Sequence, residues 1–225
     1  MEHTVTAFEN ELTELTDGVI ALGVLAQSQL DDALSSIFQG DAKLAQRAIK
    51  RDPALDTLAI DIERKSVRMI ALRQPMADDL RRPIAAMKIA MNLERCGDLA
   101  KNVAKRTLKI GPAGAVSFAA PVERMGRLVA ARLGAVLNAY GARNVTQAVD
   151  VWTQDAEIDE HYEQLFAGLL ARMAEDPESI TACTHLLFIA KNLERIGDHA
   201  TNIAELIHYE ITGVELVEDR PKFDA

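Results

Sequence analysis

The chain has 225 residues, a formal net charge of −9 and a pI near 5.1, with 48% hydrophobic and 26% charged residues. That apolar content excludes a disordered chain, and the acidic balance excludes nucleic acid as the main partner, because phosphate binding needs a basic surface. No run of 18 or more apolar residues is present to span a bilayer, and Met1-Glu2-His3-Thr4 lacks the basic start of a signal peptide, so the sequence reads as cytoplasmic.

Aromatic residues are scarce at 4%, while Ala, Leu and Ile are abundant, which is helix composition. Prolines and glycines punctuate the chain into six helices. The first runs from about Thr4 to Phe38 and ends at Gly40-Asp41, which also caps the second, from about Ala42 to Arg73. Gln74-Pro75 closes the second helix, and the third runs from about Ala77 to Lys109. Gly111-Pro112-Ala113-Gly114 then marks a boundary. Three more helices follow over about Pro121–Tyr140, Val145–Ala174 and Pro177–Ile211, separated by Gly141 and Asp176-Pro177. No run of alternating residues predicts a strand. Cys96 and Cys183 stand at non-equivalent places and give no disulfide framework.

The third and sixth helices carry the same phrase, Asn92-Leu93-Glu94-Arg95-Cys96-Gly97-Asp98 and Asn192-Leu193-Glu194-Arg195-Ile196-Gly197-Asp198. Residues 89–104 and 189–204 agree at eleven of sixteen positions, so the chain is a tandem repeat of one structural unit. Ile89, Leu93, Cys96, Ala100 and Val103 form a heptad stripe, repeated by Ile189, Leu193, Ile196, Ala200, Ile203 and Ile207. Such stripes mark long helices packing at shallow angles. The expected architecture is all-α: two tandem antiparallel three-helix bundles in an elongated molecule. The first bundle is expected over 1–112, the second over 115–213, and a tail over 214–225.

At 100° per residue, Glu94, Asp98 and Asn102 stack one turn apart, away from the apolar stripe, and Glu194, Asp198 and Asn202 repeat this. Upstream, Ile84, Met87 and Met91 make the start of the third helix nearly apolar all round, as if it packed on both sides. A second acid pair precedes each phrase: Asp52 and Asp56 on the second helix, Asp155 and Asp159 on the fifth. In an antiparallel bundle these pairs face the phrases, concentrating four carboxylates in each half. Like charges so close need protons or cations. Arg95, Lys101 and Lys105 offer relief in the first half, whereas Thr201 and Glu205 replace the two lysines in the second.

The residues alone leave two readings of these clusters, a metal site on each bundle or a solvated acidic face. Oxygen-only donors suit hard or borderline ions such as Mg²⁺, Mn²⁺ or iron. Gly97 and Gly197 each sit inside a helix at a cost of about 1 kcal/mol against alanine, for tight helix packing or for room beside an ion. Glu205-x-x-His208 has no counterpart in the first half, where Lys105 and Leu108 stand, so it is not a repeated ligand pair. His199 reads as a surface or packing histidine and Cys96 as a small core hydrophobe.

The two phrases with Asn102-Val103-Ala104 and Asn202-Ile203-Ala204, the segment Arg73-Gln74-Pro75-Met76-Ala77-Asp78-Asp79-Leu80-Arg81, and the pairs Asp52-x-x-x-Asp56 and Asp155-x-x-x-Asp159 together resemble the PhoU family of phosphate-specific transport system accessory proteins. The resemblance runs from the first helix through Gly213. It implies two three-helix bundles, a homodimer, and multinuclear sites for Fe, Mn, Mg or Zn at Asp52, Asp56, Glu94 and Asp98 and at Asp155, Asp159, Glu194 and Asp198. It also implies a non-enzymatic, cytoplasmic negative regulator of phosphate uptake and of the phosphate-starvation response. The implied partners are the ATPase subunit of the phosphate ABC transporter and a membrane sensor histidine kinase, with membrane contact only through partners. A metal-dependent enzyme built on the acid clusters is the alternative from another class. Asp79-Leu80-Arg81 departs from the repeat, since Ser179-Ile180-Thr181 stands in the second half.

Overall fold

Helix boundaries follow from local chemistry. Gly40 takes φ 64°, a left-handed conformation that ends the first helix, and the Asp41 side chain accepts a hydrogen bond from the Lys43 backbone N–H at 2.8 Å to cap the second. The computed structural model describes residues 2–114 and 119–216, with side chains over 7–111 and 120–216. The joint at 115–118, the tail residues 217–225, and Met1 lie outside the described residues.

The first bundle consists of α1 (Glu2–Gln39), α2 (Ala42–Arg73) and α3 (Asp78–Gly114). The second consists of α4 (Ala119–Ala142), α5 (Val145–Thr153), α6 (Ala156–Glu175) and α7 (Ile180–Thr212), with a 3-10 turn at Pro177–Ser179 before α7. Among the described residues there is no strand. Both expected apolar stripes are buried along their whole length, including Ile89, Leu93, Cys96 and Val103 on α3 and Ile189, Leu193, Ile196 and Ile207 on α7.

Two boundaries differ from expectation. The single fifth helix is two, α5 and α6, broken at Gln154 (φ −99°, ψ 15°) and Asp155. Neither proline nor glycine marks this break. It is held from outside, by Arg132 on α4, which bonds Gln154 Oε1 and reaches Glu157 Oε2 at 2.8 Å. Pro53 stays inside α2, directly after Asp52, as the expected span from Ala42 to Arg73 requires. The third helix starts at Asp78 because Ala77 adopts φ 49° after the left-handed Gln74 cap, and its regular course is interrupted at Gly111, where φ is 68°.

The halves join along α3 and α7, with α1 against α4. Arg81 Nε donates to the Glu210 carbonyl, Asn92 meets His199, and Arg106 meets His185. From contact to contact α3 advances by 11 and then 14 residues while α7 retreats by the same steps, so the pair is antiparallel and in register. The two repeated phrases therefore cross near the middle of the molecule, and each presents its acids to its own bundle.

Candidate functional site

Each phrase is seated by its glycine. A Cβ on Gly97 would lie 2.4 Å from Leu55 Cδ2, and one on Gly197 would lie 2.8 Å from Ile158 Cδ1. Leu55 stands just before Asp56 on α2, and Ile158 just before Asp159 on α6. Both are buried. The glycines therefore serve close helix packing, and that packing sets each preceding acid pair against the phrase. Of the two uses open from sequence, the structure shows the packing one.

In the first half the four expected acids come together. Lys101 Nζ lies 2.6 Å from Asp52 Oδ2 and 2.6 Å from Asp98 Oδ1, tying α2 to α3. Arg95 contacts Glu94 at 3.4 Å and Asp98 at 3.5 Å. Burial pushes the Glu94 carboxyl above its ordinary value; Arg95 opposes this, and Asp98, Asp56 and Asp52 add to it. Burial also disfavours the charge on Lys101, but its hydrogen bonds to Asp52 and Asp98 outweigh that and hold the ammonium above its ordinary value.

The second half is built alike, with different means of compensation. Thr201, at the place of Lys101, is buried; its hydroxyl donates to Asp155 Oδ1 at 2.9 Å and lies 3.2 Å from the Gly197 carbonyl. Asp159 is raised by burial first, then by Asp155 and Asp198, so these acids also share one field. The expectation that this half lacks a compensating lysine is corrected. Lys191 Nζ lies 2.6 Å from Glu194 Oε1 and sits 5.3 Å above the Tyr162 ring. It precedes Glu194 by three residues on one helix, a spacing visible in the sequence. Its counterpart in the first half is Met91, which is 61% exposed rather than packed as expected.

Both halves thus place oxygen donors where a cation would be favoured. Among the described residues, no group of three or more His, Cys, Asp or Glu side chains stands in a geometry that could hold a metal ion. In the first half the Lys101 ammonium lies between two of the carboxylates. In the second half a hydroxyl replaces it, and Glu194 Oε2 is buried without a hydrogen-bond partner. Each half thus keeps one ammonium on its acids, Lys101 on Asp52 and Asp98 in the first and Lys191 on Glu194 in the second.

The remaining candidates take structural parts. Glu205 accepts from Trp152 Nε1 at 3.0 Å, and His208 Nδ1 lies 2.9 Å from the Val214 carbonyl. Cys96 is buried, which pushes its thiol up to about 12, so it packs as a neutral side chain. His199 is half-buried between the bundles. No described helix is long and apolar enough to cross a membrane.

Comparison with known proteins agrees with this architecture. A protein-family model described as "PhoU domain" matches residues 19–107 and 122–207, one copy in each half. The chain is 54% identical over 225 residues to a "Phosphate-specific transport system accessory protein PhoU homolog" of Caulobacter vibrioides, covering 100% of this chain and 98% of the relative. It is 44% identical to a homolog of the same description from Rhizobium meliloti, covering 99% and 94%. The crystal structure of PhoU from Pseudomonas aeruginosa superposes with a TM-score of 0.89 at 33% identity, covering 92% of this chain and 100% of that one. The phosphate transport system regulatory protein PhoU from Streptococcus pneumoniae gives 0.86 at 30% identity, covering 93% and 99%. With its duplicated acid-bearing phrase and both bundles matched, the chain belongs to the PhoU family.

Proposed function

We propose that this protein is a cytoplasmic accessory regulator of the phosphate-specific transport system. It is not an enzyme, and it acts as a homodimer. When phosphate is plentiful it lowers uptake and silences the starvation response, by binding the ATPase subunit of the phosphate ABC transporter and a membrane sensor histidine kinase. The observation that carries this reading is the full-length likeness, through both repeats, to proteins described as accessory to that transport system. To act as a relay it binds one partner state more tightly than another. The test is deletion of its gene, with starvation-gene output assayed in abundant phosphate. Derepression is expected, and continued silence rejects the role.

The acid clusters are part of the same reading. Asp52, Asp56, Glu94 and Asp98, and Asp155, Asp159, Glu194 and Asp198, are proposed to hold Fe, Mn, Mg or Zn, ions that accept oxygen-only donor sets. Bound metal would neutralise the clustered charge and stiffen the contact between the acid-bearing helices. Elemental analysis of protein purified without added metal is the check. Metal is expected, and it should be lost when Glu94, Asp98, Glu194 and Asp198 become alanine while helical circular dichroism persists.

A further inference from the structure

Beside the first acid cluster, α2 and α3 enclose an open groove of about 310 Å³. Its apolar floor includes Ile60, Met87 and Met91, and its rim carries Asp56, Glu63 and Glu94. Met91 is 61% exposed and Ile60 47%; Val67, on the same stripe of α2 seven residues on, is 54% exposed. Scattered exposed apolar residues need no explanation, but several gathered in and beside one groove mark a contact surface. Methionine is suited to such a place because its unbranched, polarizable side chain adapts to varied partners.

The repeat supplies the comparison. In the second half Lys191 stands at the place of Met91, bonded to Glu194 at 2.6 Å and lying over Tyr162. A cation on α7 thus spans from Glu194 to the Tyr162 ring on α6. In the first half Lys101 is committed to Asp52 and Asp98, and Arg95 to Glu94 and Asp98. Asp56 and Glu63 face the groove with an apolar methionine where the other repeat has its lysine.

We propose that this groove docks a basic amphipathic helix of a partner protein. The partner's apolar stripe lies on Ile60, Met87 and Met91, while its Lys or Arg flanks meet Asp56, Glu63 and Glu94 of the metal-free chain; an ion held by Asp56 and Glu94 would compete with those flanks. This is helix-in-groove recognition with charge complementarity at the rim. Two other occupants are disfavoured by the same residues. Anionic lipid headgroups would be repelled by the three carboxylates. A two-fold contact with a second copy through this face would set the acid rim against itself. The inference rests on the accessory role proposed above and names the kind of segment that role would engage.

The test uses the full chain in chelator-containing buffer and a fluorescein-labelled Leu/Lys amphipathic peptide of about 18 residues, roughly 27 Å as a helix. Its anisotropy is read against a peptide of the same composition in scrambled order. The patterned peptide is expected to bind at one site per chain and to weaken with salt. Met91→Lys, at an exposed position and so tolerated by the fold, is expected to weaken it at least about tenfold, and Glu63→Gln by about threefold. Equal binding of patterned and scrambled peptides, or undiminished binding to Met91→Lys, would overturn the proposal. So would sedimentation showing that Met91→Lys abolishes a dimer, because the face would then belong to a second copy. These outcomes are independent of the deletion phenotype. A silent deletion strain rejects the accessory role whatever the peptide does, and indifference to the peptide in a derepressed strain rejects only the groove.

Discussion

His199 Nδ1 on α7 lies 2.9 Å from Asn92 Oδ1 on α3, at the seam between the two bundles. The Asn92 amide nitrogen donates to the Lys88 carbonyl at 2.9 Å, which turns Oδ1 towards the ring, so Nδ1 carries the proton and donates. Burial holds the imidazole below its ordinary value of 6.5, and Arg195 and Arg95 add to that. The folded chain therefore binds fewer protons here than the unfolded chain as pH falls through 6.5. Stability is full above 6.5 and is lost on acidification through the lowered folded value. His199→Gln, which keeps a donor at the seam, should flatten this slope in urea-unfolding midpoints taken from pH 7.5 to about 5. His185, lowered by burial, Arg106 and Lys109, should leave a residual slope of the same sign. An unchanged profile in His199→Gln would remove His199 as its source.

Gly97→Ala sets two effects against each other. Alanine gains about 1 kcal/mol of helix propensity. Its Cβ would, however, meet Leu55 Cδ2 at 2.4 Å and Gln29 Oε1 at 3.0 Å, and both side chains are buried with little room to move. Overpacking of this kind costs about 1–3 kcal/mol, so net destabilisation is expected. At Gly197 the contact is milder, 2.8 Å to the tip of Ile158, and Gly197→Ala should destabilise less. Equilibrium unfolding of the two variants side by side gives the order, and equal effects would contradict the packing role.

The two glycines also show how much of this site was legible in the sequence. Their repeated position said that something required a missing side chain, but the partner lies on another helix, and no spacing along one chain names Leu55 or Ile158. The acid clusters were legible because helix periodicity fixes which carboxylates share a face, and antiparallel packing fixes which pairs meet. Lys191 lay within reach of the same reasoning, three residues before Glu194, but position-by-position comparison of the repeats looks for a lysine only where the other half has one. The break between α5 and α6 was not legible, because Arg132 on α4 holds Gln154 and Glu157 and the local residues carry no stop signal.

Lys101→Thr would give the first cluster the hydroxyl that the second carries at this place. Without the ammonium, Asp52 and Asp98 lose the partner that lies 2.6 Å from each, and chelated protein should be destabilised by about 1 kcal/mol, the scale of a partly exposed ion pair. The same change clears the space between these carboxylates. Added Mn²⁺ should therefore raise the thermal midpoint of Lys101→Thr more than that of the parent chain, by binding the folded state. A response to Mn²⁺ equal in the two proteins would show that Lys101 does not compete with a cation.

Glu210 stands where the start of α3 meets the end of α7, paired with Arg143 from the turn between α4 and α5. The Glu210 side chain is only 5% exposed, is ion-paired with Arg143, and has its backbone carbonyl bonded by Arg81 at 3.2 Å. Burial raises the Glu210 carboxyl despite the opposing pull of Arg143, Arg82 and Arg81. Arg143→Ala would leave that carboxylate buried with only the other two arginines near it, at an expected loss of about 2 kcal/mol at neutral pH. Because the folded value lies above the ordinary 4.5, protonation relieves the buried charge, and the deficit should shrink as pH falls towards 4.5. Glu210→Gln in the Arg143→Ala background removes the charge and should recover most of the loss at pH 7. If the double variant is as unstable as Arg143→Ala alone, the arginine acts through packing of its stem rather than through the charge it neutralises.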